Sequence, residues 1–213
     1  MLICVFYFFN VYLPQLVNLN EMNLVWSKHL TSCPDLSAAP NLEELNLVGC
    51  TSLVEITPSV QSLKKIEYLD LRDCESLTGL PDLSGMKSLE SLHLAGCSSL
   101  KWLPKMPCNI ELLILDETAI EELPLTIEHL STLVVLNLNR CSRLRSLPNS
   151  ICKFKSLQFD ILGWMILCTW DLISECIPVM LVTIMRHLSS SILALTIMEN
   201  VEKAASSKSV GCV

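Results

Sequence analysis

The chain has 213 residues, enough for one ordinary domain with a hydrophobic core, and 51% of them are hydrophobic against 17% charged. Its formal charge is −7 with no Lys/Arg-rich run, so it lacks the basic stripe that duplex nucleic acid demands and is expected to bind none. Eleven cysteines are an odd count for a disulfide framework, and several fall in register with a repeat, which points to a reducing compartment.

Residues 1–12 (MLICVFYFFNVY) form an apolar flank without the basic n-region or A-x-A site of a secretory signal, so none is expected. A solenoid is expected over 13–160, because the pattern LxxLxLxxC stacks there at near-constant spacing. Clear lines are Leu42, Leu45, Leu47, Cys50; then Ile66, Leu69, Leu71, Cys74; then Leu89, Leu92, Leu94, Cys97; and Leu133, Leu136, Leu138, Cys141. Between the last two lies Ile110, Leu113, Leu115, Thr118, and a looser line opens the series with Leu19, Met22, Leu24, Ser27. Starts at 19, 42, 66, 89, 110 and 133 give spacings of 23, 24, 23, 21 and 23, the period of a leucine-rich repeat.

The alternation at the fourth and sixth positions has the period of a strand, so those leucines point inward and the third, fifth and seventh residues point out. Six parallel strands are expected near 21–25, 44–48, 68–72, 91–95, 112–116 and 135–139. Each is followed by an apolar residue (Leu53, Leu77, Leu100, Ile120, Leu144) and a proline-containing return at Pro58, Pro81, Pro104, Pro124 or Pro148. Proline lacks an N–H and fixes φ, so it suits an irregular or 3-10 convex return and would break a central strand. The ninth position turns the chain inward, where a small side chain with a donor can meet a buried carbonyl. Cys50, Cys74, Cys97 and Cys141 are therefore read as a buried column of reduced thiols. No CxxC pair or ligand cluster has the spacing of a zinc site, and no metal or cofactor is expected.

A seventh turn begins at residues 157–162 and then loses register. Residues 161–198 are rich in Ile, Leu, Met and Trp, and are read as apolar helices covering the end of the solenoid. A membrane span is the alternative, disfavoured by Asp171, Glu175, Arg186 and the central Pro178. The tail 199–213 is small and polar, and is read as disordered.

Two stretches resemble the repeats of plant intracellular immune receptors of the TIR–nucleotide-binding–leucine-rich-repeat class, the tobacco mosaic virus resistance protein N type. They run from HLTSCPDLSAAPNLEELNLVGC at His29 to SLKWLP at Pro104, and from LDETAIEELP at Leu115 to KSLQ at Gln158. The GCTSL and GCSSL steps, the LDETAIEELP turn and the SLPNSIC return carry the resemblance. It implies recognition of a pathogen effector or host partner, or regulation of a receptor, in the cytoplasm; membrane attachment through 161–198 is the alternative. The sequence holds neither a GxxxxGK[ST] phosphate loop nor a TIR module, so the expectation is a piece of such a receptor. A generic leucine-rich-repeat scaffold without a defence role is the other reading.

Nothing in the chain points to catalysis. His29, His93, His129 and His187 sit in no HExxH motif, no GxSxG elbow occurs, and the acidic pairs Asp116-Glu117 and Glu121-Glu122 read as solvated faces. Binding is expected on the concave sheet face at Trp26, Tyr68, Arg72, His93, Leu112, Ile114, Asp116, Asn139 and Arg140. Trp, Tyr and Arg often dominate protein interfaces, and Leu112 and Ile114 are expected to stand open to solvent without any need of the repeat.

Overall fold

In the computed structural model residues 16–148, 150, 151, 154 and 158–160 are described, all within the unit Met1–Leu167. The flank 1–12, the segment 161–198 and the tail 199–213 lie outside the described residues. Each turn contributes one three-residue strand: β1 (Glu21–Asn23), β2 (Glu44–Asn46), β3 (Tyr68–Asp70), β4 (Ser91–His93), β5 (Leu112–Ile114), β6 (Val135–Asn137) and β7 (Gln158–Asp160). They pair in parallel and in chain order, with Met22, Leu45, Leu69, Leu92, Leu113, Leu136 and Phe159 in one register row. The fold is the expected leucine-rich-repeat solenoid.

Two details differ from the sequence reading. A seventh strand exists although its turn lacks the ninth-position cysteine, because pairing of Leu136 with Phe159 needs only backbone groups. The strands are also shorter than expected: in all six turns the chain has left the sheet by the eighth residue, including β4 and β5, which carry His93 and Ile114 at the fifth position. In four turns the fifth residue is Asn or Asp, whose side chain accepts the N–H of the seventh: Asn23 from Val25, Asn46 from Val48, Asp70 from Arg72 and Asn137 from Asn139, at 3.0–3.2 Å. Such a side chain competes with the sheet ladder for the donor. The eighth residue then turns into the left-handed region, with φ between 56° and 76° at Trp26, Gly49, Asp73, Gly96, Glu117 and Arg140.

The interior is a column of aliphatic side chains. Leu45, Leu47, Leu69, Leu71, Leu92, Leu94, Leu113, Leu115, Leu136 and Leu138 are all buried, as the period requires. So are Leu53, Leu77, Leu100, Ile120 and Leu144 at the start of the returns. Burying each such side chain is worth about 1.5–3 kcal/mol relative to exposure. Two returns are short 3-10 helices, Pro58–Ser62 and Leu125–His129, which bury Val60 and Ile127.

The thiols add a second hydrogen bond to four of the sixth-position carbonyls. The sixth-position carbonyl of each turn accepts the ninth N–H of its own turn, as Leu47 does from Cys50 at 3.2 Å. It also receives the thiol of the next turn: Cys50 Sγ donates to Leu24 O, Cys74 to Leu47, Cys97 to Leu71 and Cys141 to Leu115, at 3.0–3.3 Å. Thr118 departs from the rule and donates to Leu115 of its own turn at 2.8 Å. These four cysteines, and Cys33, are buried and unbridged, while Cys108 is exposed. Burial pushes the thiols up, Cys74 and Cys33 to about 12, so they stay protonated and remain donors.

Among the described residues no helix is long and apolar enough to cross a membrane. Nor do three His, Cys, Asp or Glu side chains come together there in a metal-binding group.

Candidate protein-binding face

The outward residues of the strands form one continuous sheet face, and the nine residues singled out from the sequence all lie on it or on its eighth-position rim. Trp26 is on the rim and 59% exposed, with Lys28 Nζ 5.7 Å from its ring centroid. Its left-handed backbone sets the indole over Gly49 of the next turn, where a Cβ would strike the ring. Asp73 covers Gly96 in the same manner. At the far end of the rim Arg140 Nη1 meets Glu117 Oε1 at 2.7 Å, with both side chains largely in water.

The centre of the face is built around Asp70. Its side chain is wholly buried, against the expectation that a fifth-position residue would stand outward in solvent. The cover comes from its own strand and the next. Arg72 grips it through Nε at 3.0 Å and Nη2 at 2.6 Å, the Tyr68 hydroxyl donates at 2.9 Å, and the His93 ring packs at a tilt against Tyr68 with centroids 5.0 Å apart. Burial pushes the Asp70 carboxyl up, but the Arg72 side chain, the Arg72 N–H and the Tyr68 hydroxyl together hold it below the usual carboxylate range. Burial and the carboxylate neighbour push the Tyr68 phenol up, and burial holds the half-buried His93 imidazole down. Tyr68, Arg72 and His93 thus form one packed unit with half of Arg72 still open to a partner.

Leu112 and Ile114 are half-buried, which corrects the expectation of open solvent exposure. A middle strand has neighbours on both sides: Ser91 and Val135 flank Leu112, while His93 and Asn137 flank Ile114. The corrected surface is a low apolar strip, Leu112 beside Val135. Asp116 accepts from Asn137 Nδ2 at 3.0 Å, and its partial burial replaces the fully solvated carboxylate read from the sequence. Asn139 lies between the rim and the sheet, its carbonyl accepting the Glu117 N–H at 2.9 Å.

One set of residues escaped the sequence reading, which took only the third, fifth, seventh and eighth positions. The second position holds Glu43, Glu67, Glu90 and Glu111 in four successive turns. Their backbones form a continuous ladder, each N–H bonded to the second-position carbonyl of the turn before at 2.8–3.0 Å. The signal was present, since the four glutamates align once the repeats are stacked.

Comparison with known proteins agrees with the sequence resemblance. No family model matches the chain. Among curated proteins of Arabidopsis thaliana, Protein SUPPRESSOR OF npr1-1, CONSTITUTIVE 1 is 39% identical over 147 residues, 68% of this chain and 10% of that protein. Disease resistance protein RPP4 is 47% identical over 145 residues, 68% of this chain and 13% of that protein. The chain therefore spans about a tenth of the length of these relatives. Among solved structures, the leucine-rich effector protein YopM from Yersinia pestis is 27% identical over 67% of this chain and 42% of its own, with a TM-score of 0.46. The repeats of this chain are thus similar to a stretch of these plant disease resistance proteins.

Proposed function

We propose that the repeat tract is a protein-interaction module of a plant disease resistance receptor, acting in the cytoplasm by binding and not by catalysis. Its concave sheet face would engage an effector, a host protein or another receptor domain in defence signalling. One observation carries the reading. The inward sixth position is leucine in every one of six turns (Leu24, Leu47, Leu71, Leu94, Leu115, Leu138), so the fold dictates it. The outward positions change from turn to turn: the third runs Glu21, Glu44, Tyr68, Ser91, Leu112, Val135, and the fold asks nothing uniform of it. A constant scaffold presenting a variable continuous sheet is what a recognition surface requires. The disease resistance relatives supply the biological setting.

The test is capture of partners from plant tissue by the native chain and two variants. Trp26→Ala with Ile114→Ala and Arg140→Ala should weaken capture by about an order of magnitude, since a few central residues carry most binding energy. Changing Gln61, Lys87 and Thr126 on the returns to Ala should do little. The reverse pattern would end the concave-face reading.

A further inference from the structure

The charge of the solenoid is sorted by face. Over residues 16–148 the sheet face, from the second to the eighth position of each turn, carries ten carboxylates and two arginines, while the remainder carries seven carboxylates and eight Lys or Arg. The net negative charge of the tract therefore belongs to one side. Both arginines are already committed, Arg72 to Asp70 and Arg140 to Glu117.

The leading margin of that face is the most concentrated part. Glu43, Glu67, Glu90 and Glu111 stand on successive rungs about 4.8 Å apart, well inside a Debye length of about 8 Å, so their charges repel. Glu21 and Glu44 extend the band at the third position. Among the described residues none of the six has an ion-pair partner. The repeat does not ask for glutamate here, since the second position is Asn20 in the first turn and Val134 in the sixth. Like charges side by side on a sheet cost stability, and no contact within the described residues offsets that cost. Beside the band lie the half-buried Tyr68, His93, Leu112 and Val135, a surface suited to the methylene stems of long cationic side chains.

We propose that this face docks a protein segment rich in lysine or arginine, the cationic heads along the glutamate band and the stems on the neighbouring apolar strip. This deepens the concave-face reading and rests on it. The experiment measures binding of the full chain to a short labelled peptide alternating Lys and Ser, with the matching Glu and Ser peptide as control, at low and physiological salt. Two variants remove equal charge: Glu67→Gln with Glu90→Gln and Glu111→Gln on the band, and Glu55→Gln with Glu75→Gln and Glu122→Gln on the returns. The band variant should bind the Lys peptide about tenfold more weakly and lose most of the salt dependence, and the return variant should stay within about twofold. Thermal midpoints no lower than that of the native chain confirm that both remain folded. Equal losses in the two variants, or equal binding of the two peptides, would overturn the proposal. If the Lys peptide fails while the Trp26, Ile114 and Arg140 variant still loses its captured partner, the partner chemistry is wrong and the location stands.

Discussion

The indole of Trp26 lies on the α-carbon of Gly49, one turn further along the rim. Trp26 adopts φ 58° and Gly49 φ 70°, so both residues are in the left-handed region, but only glycine enters it freely. Gly49→Ala should therefore lower stability by about 1–3 kcal/mol, from backbone strain and from displacement of the ring. In a Trp26→Ala background the same change should cost less, read as a non-additive pair in denaturant unfolding. Full additivity would show that the ring is no obstacle.

Arg72 is a structural residue as well as a contact candidate. Truncating it leaves the buried Asp70 carboxylate with only the Tyr68 hydroxyl and backbone N–H, and breaking such a pair is costly even when the cation is half-exposed. Arg72→Ala should cost about 1–3 kcal/mol after allowance for solvent screening, and much less when Asp70→Asn is already present. Arg72 is accordingly absent from the binding variant, since loss of fold would mimic loss of contact.

The same pair sets an acid limit. The folded Asp70 carboxyl titrates below its ordinary value of 3.8, so its contribution is present above that pH and is lost as pH falls through the lower folded value. Unfolding free energy measured from pH 5 downward should drop, and the drop should be shallower in Asp70→Asn. Parallel curves for the two proteins would remove Asp70 from the account.

The thiol column sets the alkaline limit with the opposite sign. Cys74 ionises near 9 when unfolded and about 12 when folded, so the unfolded chain releases its proton first and stability falls as pH rises from 9 toward 12. Labelling of the native protein, mapped by mass spectrometry, should reach Cys108 before Cys50, Cys74, Cys97 or Cys141. Early labelling of any of those four would contradict the buried column.

Residues 161–198 carry a separate expectation. Alkaline carbonate should strip the full chain from plant membranes, because Asp171, Glu175 and Arg186 would each cost about 2.5–3.5 kcal/mol near the centre of a spanning helix. Retention in the membrane pellet would establish the span instead.

Stacking the repeats made the strand starts, the inward leucines and the buried cysteines legible, because each follows from a period that the chain states six times. The strand ends were not legible from that period. They fall where the eighth residue of every turn enters the left-handed region, reinforced in four turns by Asn23, Asn46, Asp70 and Asn137 accepting the N–H two residues on, and hydrophobic spacing encodes neither. Gly49 and Gly96 did mark the left-handed corner, yet Trp26, Asp73, Glu117 and Arg140 share it without the glycine that would have announced it. On the candidate face, placement was readable and exposure was not. Asp70 and Ile114 occupy outward positions, but Arg72 and Tyr68 of its own turn cover Asp70, and neighbours on the adjoining turns cover part of Ile114.

The thiol bond between turns has a consequence for how such a tract can change length. Each cysteine answers a carbonyl of the preceding turn, and that carbonyl belongs to a leucine at the same place in every turn. Excising the turn that begins at Ile66 would bring Cys97 to Leu47 in place of Cys74, the same donor to the same acceptor. Unequal recombination between repeats can thus splice the tract at any such joint and leave its interior chemistry whole, while handing the sheet face a new order of outward residues. The joint at Thr118 is the exception, because its hydroxyl turns back to its own Leu115 and leaves Leu94 without a side-chain donor from the next turn.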